Sequence, residues 1–233
     1  MTSSSSDIIV TFDLYKNIHK AIRAELFGTT VQAGQIDPAD GTARVDLAQR
    51  VGKAVDLLAS HAEHEDEFAQ PHIVRVAPRL AHQIESDHAA IDARFPQLAS
   101  LADAAATARA GEAARQRLHE LYLELASFTG TYLAHQDVEE RQVMPALAQA
   151  MSFDELLAVD QAIVGSIPPD QLAVGLGLMI PAMNIDDRAE LLGGMQMGAP
   201  AEVFAGVMGL AKSVLSTADF EAINRRLGLE LAA

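Results

Sequence analysis

The sequence predicts an all-α protein in which an up-down-up-down four-helix bundle is followed by a helical C-terminal subdomain. Apolar residues make up 49% of the chain and aromatic residues only 5%, with alanine and leucine dominant; this is typical of a globular helical protein. Apolar residues recur at helical spacing in four long segments joined by short connections. The predicted divisions are a flexible tail over 1–7, the bundle over 8–151 and the subdomain over 152–233.

The first two predicted helices are separated by a segment rich in turn-forming residues. Helical spacing predicts the first helix over about 8–31, and the stretch IDPADGT that follows it favours a turn, because Pro and Gly near Asp interrupt helices. Thr42 is predicted to cap the second helix. That helix is expected to end at about Ala69, since Pro71 interferes with its continuation.

The third and fourth predicted helices also contain prolines. The third is expected to begin near Pro78, a residue tolerated in a first turn, and to run to about Ala105. Pro96 should kink or interrupt it. The fourth helical pattern covers about 112–151, with a bend expected at Pro145.

Residues 152–233 predict four or five short helices, because Pro and Gly interrupt the helical pattern repeatedly. The residues from Ser152 to Glu155 resemble a capping box, and those from Ser216 to Asp219 resemble a weaker one. Methionines in this part are interpreted as core residues; a surface for a homodimer or a protein partner is the alternative. These residues are Met179, Met183, Met195, Met197 and Met208.

The composition argues against several classes of function. The chain has no cysteine, which excludes disulfides, iron–sulfur clusters and cysteine nucleophiles, so nitrogen and oxygen atoms must hold any metal. The formal net charge of -15 argues against a nucleic-acid surface. No export signal and no apolar stretch of membrane-spanning length are visible, so we expect a cytoplasmic protein without a membrane partner.

The predicted bundle carries an internal repeat of chemical groups. HAEHEDEFAQP from His61 and HQDVEERQVMP from His135 both have the pattern His-x3-Glu-x5-Pro. HKAIRAEL from His19 and HAAIDARF from His88 both place Ile three residues, and a large apolar residue seven residues, after the histidine. The bundle therefore looks like two helical hairpins of one kind.

This repeat predicts a metal site. Histidine and glutamate four residues apart lie on one helix face, and imidazole nitrogens with carboxylate oxygens suit iron, manganese or zinc. A single pair of this kind is more often an ordinary surface pair, and a lone buried histidine is more often a core residue. Here four helices repeat the pattern, and the number of residues from each predicted helix end places the side chains at one height in the bundle.

The ordered pattern H, HxxxE, H, HxxxE resembles the hemerythrin-like HHE cation-binding family over about residues 8–150. The resemblance implies two iron ions, with manganese or zinc as alternatives, joined by an oxo or hydroxo bridge. It implies that the ions bind oxygen, nitric oxide or peroxide, and that four terminal histidines and two bridging glutamates hold them. These ligands are His19, His61, Glu65, His88, His135 and Glu139.

One position departs from the oxygen-carrying hemerythrins, which have a further histidine one turn before the third-helix ligand. This chain has Ile84 there, so at least one position on each metal is left open, as a reactive centre requires. Three classes of function therefore remain: a protein that binds, senses or protects against small oxidants, an enzyme that activates oxygen or peroxide, and a structural or partner-binding helical protein with a vestigial site. His64, Glu85 and Tyr15 are the candidates for residues that support the ligands.

Overall fold

Residues 12–229 are described by a computed structural model, and their secondary structure is entirely helical. The predicted tail over 1–7 and the predicted start of the first helix lie outside the described residues. The α-helices are α1 (Lys16–Gln35), α2 (Gly41–His64), α3 (Gln70–Val76), α4 (Pro78–Asp92), α5 (Phe95–Thr107), α6 (Glu112–Val138), α7 (Met144–Ala150), α8 (Phe153–Ser166), α9 (Pro169–Ala182), α10 (Ile185–Gly198), α11 (Ala201–Val214) and α12 (Thr217–Leu227). Two π-helical segments, π1 (Glu65–Ala69) and π2 (Glu139–Val143), join α2 to α3 and α6 to α7.

Contacts along the chain divide the described residues into two compact units. The first unit contains residues 12–16 and 25–163, and the second contains 17–24 and 164–229. The division falls at 163/164, whereas the sequence placed it at 151/152. The physical reason is that Leu156 and Val159 of α8 are buried in the core of the first unit.

The two π segments carry the helices through positions where proline was expected to interfere. The amide N–H of Gln70 donates to the carbonyl oxygen of Glu65, five residues earlier, and that of Met144 donates in the same way to Glu139. Pro71 and Pro145 then fall in the first turns of α3 and α7, where a missing N–H is tolerated. The predicted helix end at Ala69 is therefore wrong.

Other local predictions can be compared directly with the helix ends. Pro96 does interrupt the third predicted helix, because α4 ends at Asp92 and α5 begins anew at Phe95. Thr42 is not the cap of α2. The cap is Asp40, which has an extended backbone and accepts a hydrogen bond of 2.9 Å from the amide of Ala43.

The expected capping box at the start of α8 is confirmed. The amide of Ser152 donates to Oε2 of Glu155 at 2.7 Å, and the amide of Glu155 donates to Oγ of Ser152 at 3.3 Å. Each side chain therefore satisfies an amide that the first helical turn leaves without a partner. Ser216 caps α12 in a similar way, accepting from the amide of Asp219 at 3.1 Å.

The core of the first unit includes an apolar cluster built from α3, α4, α7 and α8. Its buried members are aliphatic, apart from Tyr15 just before α1, Met144 at the start of α7 and Met151 directly after α7. A cluster of this kind excludes water, and the low dielectric constant inside it strengthens electrostatic interactions between buried groups. Its buried members include Tyr15, Ile73, Ile84, Val143, Met144, Leu147, Met151, Leu156 and Val159.

The second unit has its own core and a regular spacing of helices. Helices α9 to α12 each begin sixteen residues after the start of the preceding helix, and together with α8 they agree with the expected four or five short helices. Of the five methionines, Met183 is buried in this core and Met179, Met195 and Met208 pack against it, whereas Met197 is 87% exposed.

No single helix within residues 12–229 is long and apolar enough to cross a membrane; only α8 and α9 taken together reach that length, and they are bent by 119°.

Arg44 connects the start of α2 to the end of α5. Its buried Nη1 donates to the carbonyl oxygens of Ala105, Ala106 and Ala108 at 2.6, 3.3 and 2.9 Å. Ala105 and Ala106 lie in the last turn of α5 and Ala108 follows it, at the helix end where carbonyls lack helical partners. The Arg44 guanidinium on α2 therefore supplies the hydrogen-bond donor for carbonyl oxygens at the end of α5.

Arg44→Leu is expected to lower the free energy of unfolding by about 2–3 kcal/mol, because buried carbonyls lose a charged donor. The matched control is Arg117→Leu, since Arg117 is half-exposed and pairs only with Glu120 in its own helix. The control should change stability by less than about 0.5 kcal/mol. Urea unfolding followed by circular dichroism measures both, and equal losses in the two variants would refute this role for Arg44.

Candidate metal centre

Four of the predicted ligands meet in the interior of the first unit. Glu65, His88, His135 and Glu139 are all buried, and each offers one ligand atom within 4.8 Å of the others. Each glutamate is the first residue of a π segment. The wider π turns lie between α2 and α3 and between α6 and α7, and the second helix of each pair contains the proline. Turns of this kind are frequent at functional sites.

Glu65 faces two histidines with its two oxygens. Its Oε1 lies 3.1 Å from Nε2 of His61, four residues earlier on the same helical run. Its Oε2 lies 3.3 Å from Nε2 of His88 on α4. One carboxylate therefore points its two oxygens at imidazoles from two helices.

Glu139 faces the other side of the same group. Its Oε1 lies 3.1 Å from Nε2 of His135 and 3.9 Å from Nε2 of His88. The rings of His88 and His135 meet edge to face, with centroids 4.8 Å apart. The two imidazoles thus direct their Nε2 atoms to one place between the carboxylates.

His19 is fully buried on α1. It belongs to the stretch 17–24 of the second unit. The other five predicted ligands lie near one another in the first unit.

The outward-facing nitrogens of two histidines meet carboxylates that the sequence analysis did not select. Nδ1 of His88 lies 2.9 Å from Oδ1 of Asp66, and Nδ1 of His135 lies 3.7 Å from Oδ2 of Asp87. Asp66 follows Glu65 and Asp87 precedes His88 in the chain. Their position next to predicted ligands could have marked both aspartates as candidates in the sequence. Only the fold shows that each one faces a histidine on a different helix.

Two tyrosines adjoin the carboxylates. Tyr15 and Tyr132 are each only 2% exposed, and the Tyr132 ring lies 5.8 Å from the His135 ring. Burial, together with the nearby charges of Glu65 and Glu139, raises the pKa of both phenols well above the ordinary value of 10.0. Both phenols are therefore protonated at neutral pH. Tyr15 was a sequence candidate; Tyr132 was missed, although it stands one turn before His135.

The other two supporting candidates lie elsewhere. The Glu85 side chain is 75% exposed and pairs with His82 on the surface of α4, so it does not reach the buried group. His64 is partly buried, with its Nδ1 3.4 Å from Oγ of Ser60 and its ring stacked on Phe68 at 6.5 Å. Within the described residues of the first unit, neither belongs to the group formed by Glu65, His88, His135 and Glu139.

Electrostatics in the centre favour bound protons or a cation. Burial raises the pKa of Glu65 well above 4.5, and repulsion from Glu139 raises it further. Burial lowers the pKa of His135, but its hydrogen bond to Glu139 and the charges of both glutamates outweigh that effect, so the pKa is raised from 6.5. Two buried carboxylates repel one another unless positive charge lies between them.

The donor set also fits a metal. Within residues 12–229, Nε2 of His88 and both carboxylate oxygens of Glu65 are buried without a partner in good hydrogen-bond geometry. Buried polar atoms normally have such partners, so a group of them aimed at one place calls for a ligand. Neutral imidazole nitrogens and carboxylates are donors that iron, manganese and zinc accept.

The comparison with known families agrees with this geometry. The sequence matches the hemerythrin HHE cation binding domain over residues 10–147, more than half of the chain, and this protein therefore belongs to that family of metal-binding helical domains. No curated protein and no solved structure matches the chain.

In the metal-free protein, the variant Glu65→Gln is expected to be more stable than the native chain, and the difference should grow as pH rises above about 4.5. Folding raises the pKa of Glu65, so its contribution to stability is complete below the unfolded pKa and is lost as pH rises through the folded pKa. The raised pKa of His135 acts in the same direction, so its contribution to the stability of the fold is lost as pH rises above about 6.5.

Because glutamine stays neutral, the free energy of unfolding at pH 8 should be higher in Glu65→Gln than in the native chain by on the order of 1–3 kcal/mol. Urea unfolding at pH 5, 6.5 and 8 with excess chelator measures it. A native protein that equals or exceeds the variant at pH 8 would contradict the electrostatic argument.

Proposed function

We propose that this protein is a non-haem di-iron protein that binds oxygen, nitric oxide or peroxide. The proposed iron ligands are the six predicted ones: His19, His61, Glu65, His88, His135 and Glu139. The observation that carries the proposal is the orientation of Glu65, whose two oxygens face Nε2 atoms of His61 and His88 at 3.1 and 3.3 Å. A carboxylate in that position is suited to join two ions. The proposed ligand-bearing segments alternate up and down as four helices, in a cytoplasmic protein.

The residues around the proposed centre suit a small uncharged ligand. Ile84 is 2% exposed and lies in the apolar cluster, so the turn before His88 supplies no donor atom. When bound, two irons would supply an open coordination position and electrons for a diatomic molecule or peroxide. Tyr15 and Tyr132 would keep their protons next to the carboxylates, and the aliphatic neighbours would exclude bulk water.

A second function is favoured by the same open position. The protein would then be an enzyme that decomposes peroxide or activates oxygen towards an organic substrate. Ile84 is the observation that favours this alternative, because a buried aliphatic side chain in the turn before His88 adds no ligand and would leave a coordination position for a substrate. The C-terminal helices remain a candidate surface for a homodimer or another protein in either case.

The metal assignment predicts about two iron ions per native chain. Glu65→Ala should lose one or both, because it removes the carboxylate whose two oxygens face His61 and His88. Glu63→Ala is the matched control, since Glu63 is exposed on the same helix. Metal analysis after anaerobic iron loading measures the content. Two irons retained in Glu65→Ala would refute the ligand assignment.

The binding function predicts that reduced, iron-loaded protein forms an optical band with oxygen or nitric oxide that disappears when the gas is removed. Continuous loss of peroxide in the presence of the same protein would instead support the enzyme. Both functions would be rejected if the iron-loaded protein formed no adduct and consumed no peroxide. Optical spectra under argon, air and nitric oxide, followed by a peroxide assay, distinguish these outcomes.

A further inference from the structure

Asp66 occupies an unusual position beside the ligand group. It belongs to π1, directly after Glu65, yet its side chain reaches His88 on α4, where Oδ1 lies 2.9 Å from Nδ1. The His88 ring is buried, and its other nitrogen, Nε2, lies 3.3 Å from Glu65. Two consecutive residues of one segment therefore contact opposite sides of a single imidazole.

The chemistry of the pair fixes the protonation of the ring. A carboxylate only accepts hydrogen bonds, so the nitrogen 2.9 Å away must carry the hydrogen. In neutral imidazole the proton then sits on Nδ1, and the lone pair of Nε2 points towards the carboxylates inside the unit. That is the tautomer that a metal at the proposed site requires.

A neighbouring aspartate provides a natural comparison. Asp87 precedes His88 and faces Nδ1 of His135, but at 3.7 Å, which is beyond hydrogen-bond distance. Asp66 faces its histidine at 2.9 Å. Asp66 is therefore within hydrogen-bond distance of its histidine, whereas Asp87 is not. Removal of Asp66 should change the state of its histidine more than removal of Asp87.

We propose that Asp66 is a positioning residue of the metal centre, which keeps His88 in the Nδ1-protonated tautomer and thereby strengthens metal binding through Nε2. This inference rests on the proposed metal-binding function. A plain surface ion pair is the competing explanation, because the Asp66 side chain is 52% exposed. The two explanations differ in what happens to the buried ring when the carboxylate is removed.

The first test measures the tautomer in metal-free protein, so it does not depend on metal binding. Long-range proton–nitrogen correlation spectra of histidine side chains are recorded for the native chain, Asp66→Ala and Asp66→Asn, with His88→Gln used to assign the signal. The native ring should carry its proton on Nδ1, and Asp66→Ala should shift the population towards Nε2. An unchanged tautomer in a folded Asp66→Ala protein would overturn the proposal.

The second test measures affinity for Fe²⁺ by competition with a chromophoric chelator under anaerobic conditions. Asp66→Ala should bind about tenfold to a hundredfold more weakly, as removal of such outer partners typically does. Asp66→Asn, which retains an acceptor oxygen, should lose less, and Asp87→Asn should also lose less than Asp66→Ala.

Asp137→Asn is the matched control. Asp137 is 58% exposed, close to the value for Asp66, and it pairs with Arg141 on its own helical run. The control should bind Fe²⁺ within about twofold of the native chain, since a surface ion pair of this kind contributes little. An affinity loss of equal size in Asp66→Ala and Asp137→Asn would overturn the positioning role.

The two tests separate this inference from the proposed function. If the native chain binds no iron but His88 changes tautomer in Asp66→Ala, the metal assignment fails and the positioning of the ring stands. If the native chain binds iron and neither the tautomer nor the affinity responds to Asp66, the positioning role fails alone. If Asp66→Ala does not fold, Asp66→Asn takes its place, with changes in the same direction but of smaller size.

Discussion

The interaction on which this protein depends is the approach of two carboxylates inside a helical unit. Glu65 and Glu139 are buried, and each raises the cost of ionising the other. A core of this size would be more stable with apolar residues in their place, because an uncompensated buried charge is expensive. The cost becomes understandable if a cation occupies the space between them, because His61, His88 and His135 place Nε2 atoms 3.1, 3.3 and 3.1 Å from these carboxylates as further donors.

The backbone around each carboxylate follows from the same requirement. Both glutamates begin a π segment, and in both cases a proline follows six residues later in the first turn of a new α-helix. The π turn lets the helical run continue past the proline and alters the direction in which later side chains face. Ile73 and Leu147 are consequently buried in the apolar cluster, which keeps water away from the carboxylates.

The surroundings of the ligands divide into a polar side and an apolar side. Asp66 and Asp87 face the outward nitrogens of His88 and His135, whereas Tyr15, Tyr132 and aliphatic residues enclose the inner side. Such an arrangement orients the imidazoles from outside. The second unit contributes its own core of regularly spaced helices, and nothing in its chemistry points to a second reaction centre within the described residues.

The sequence by itself determined the helical class, the repeated His-x3-Glu pattern and the family, because local helical spacing places i and i+4 side chains on one face whatever the surroundings. The proline interruption at Pro96 and the capping box at Ser152 were readable for the same reason. Only the tertiary structure decided that the run from His61 continues past Pro71, that Asp66 rather than Glu85 supports His88, and that Tyr132 adjoins the centre. Those features depend on which face of each helix meets its neighbours, and contacts between distant segments leave no periodic trace in the sequence.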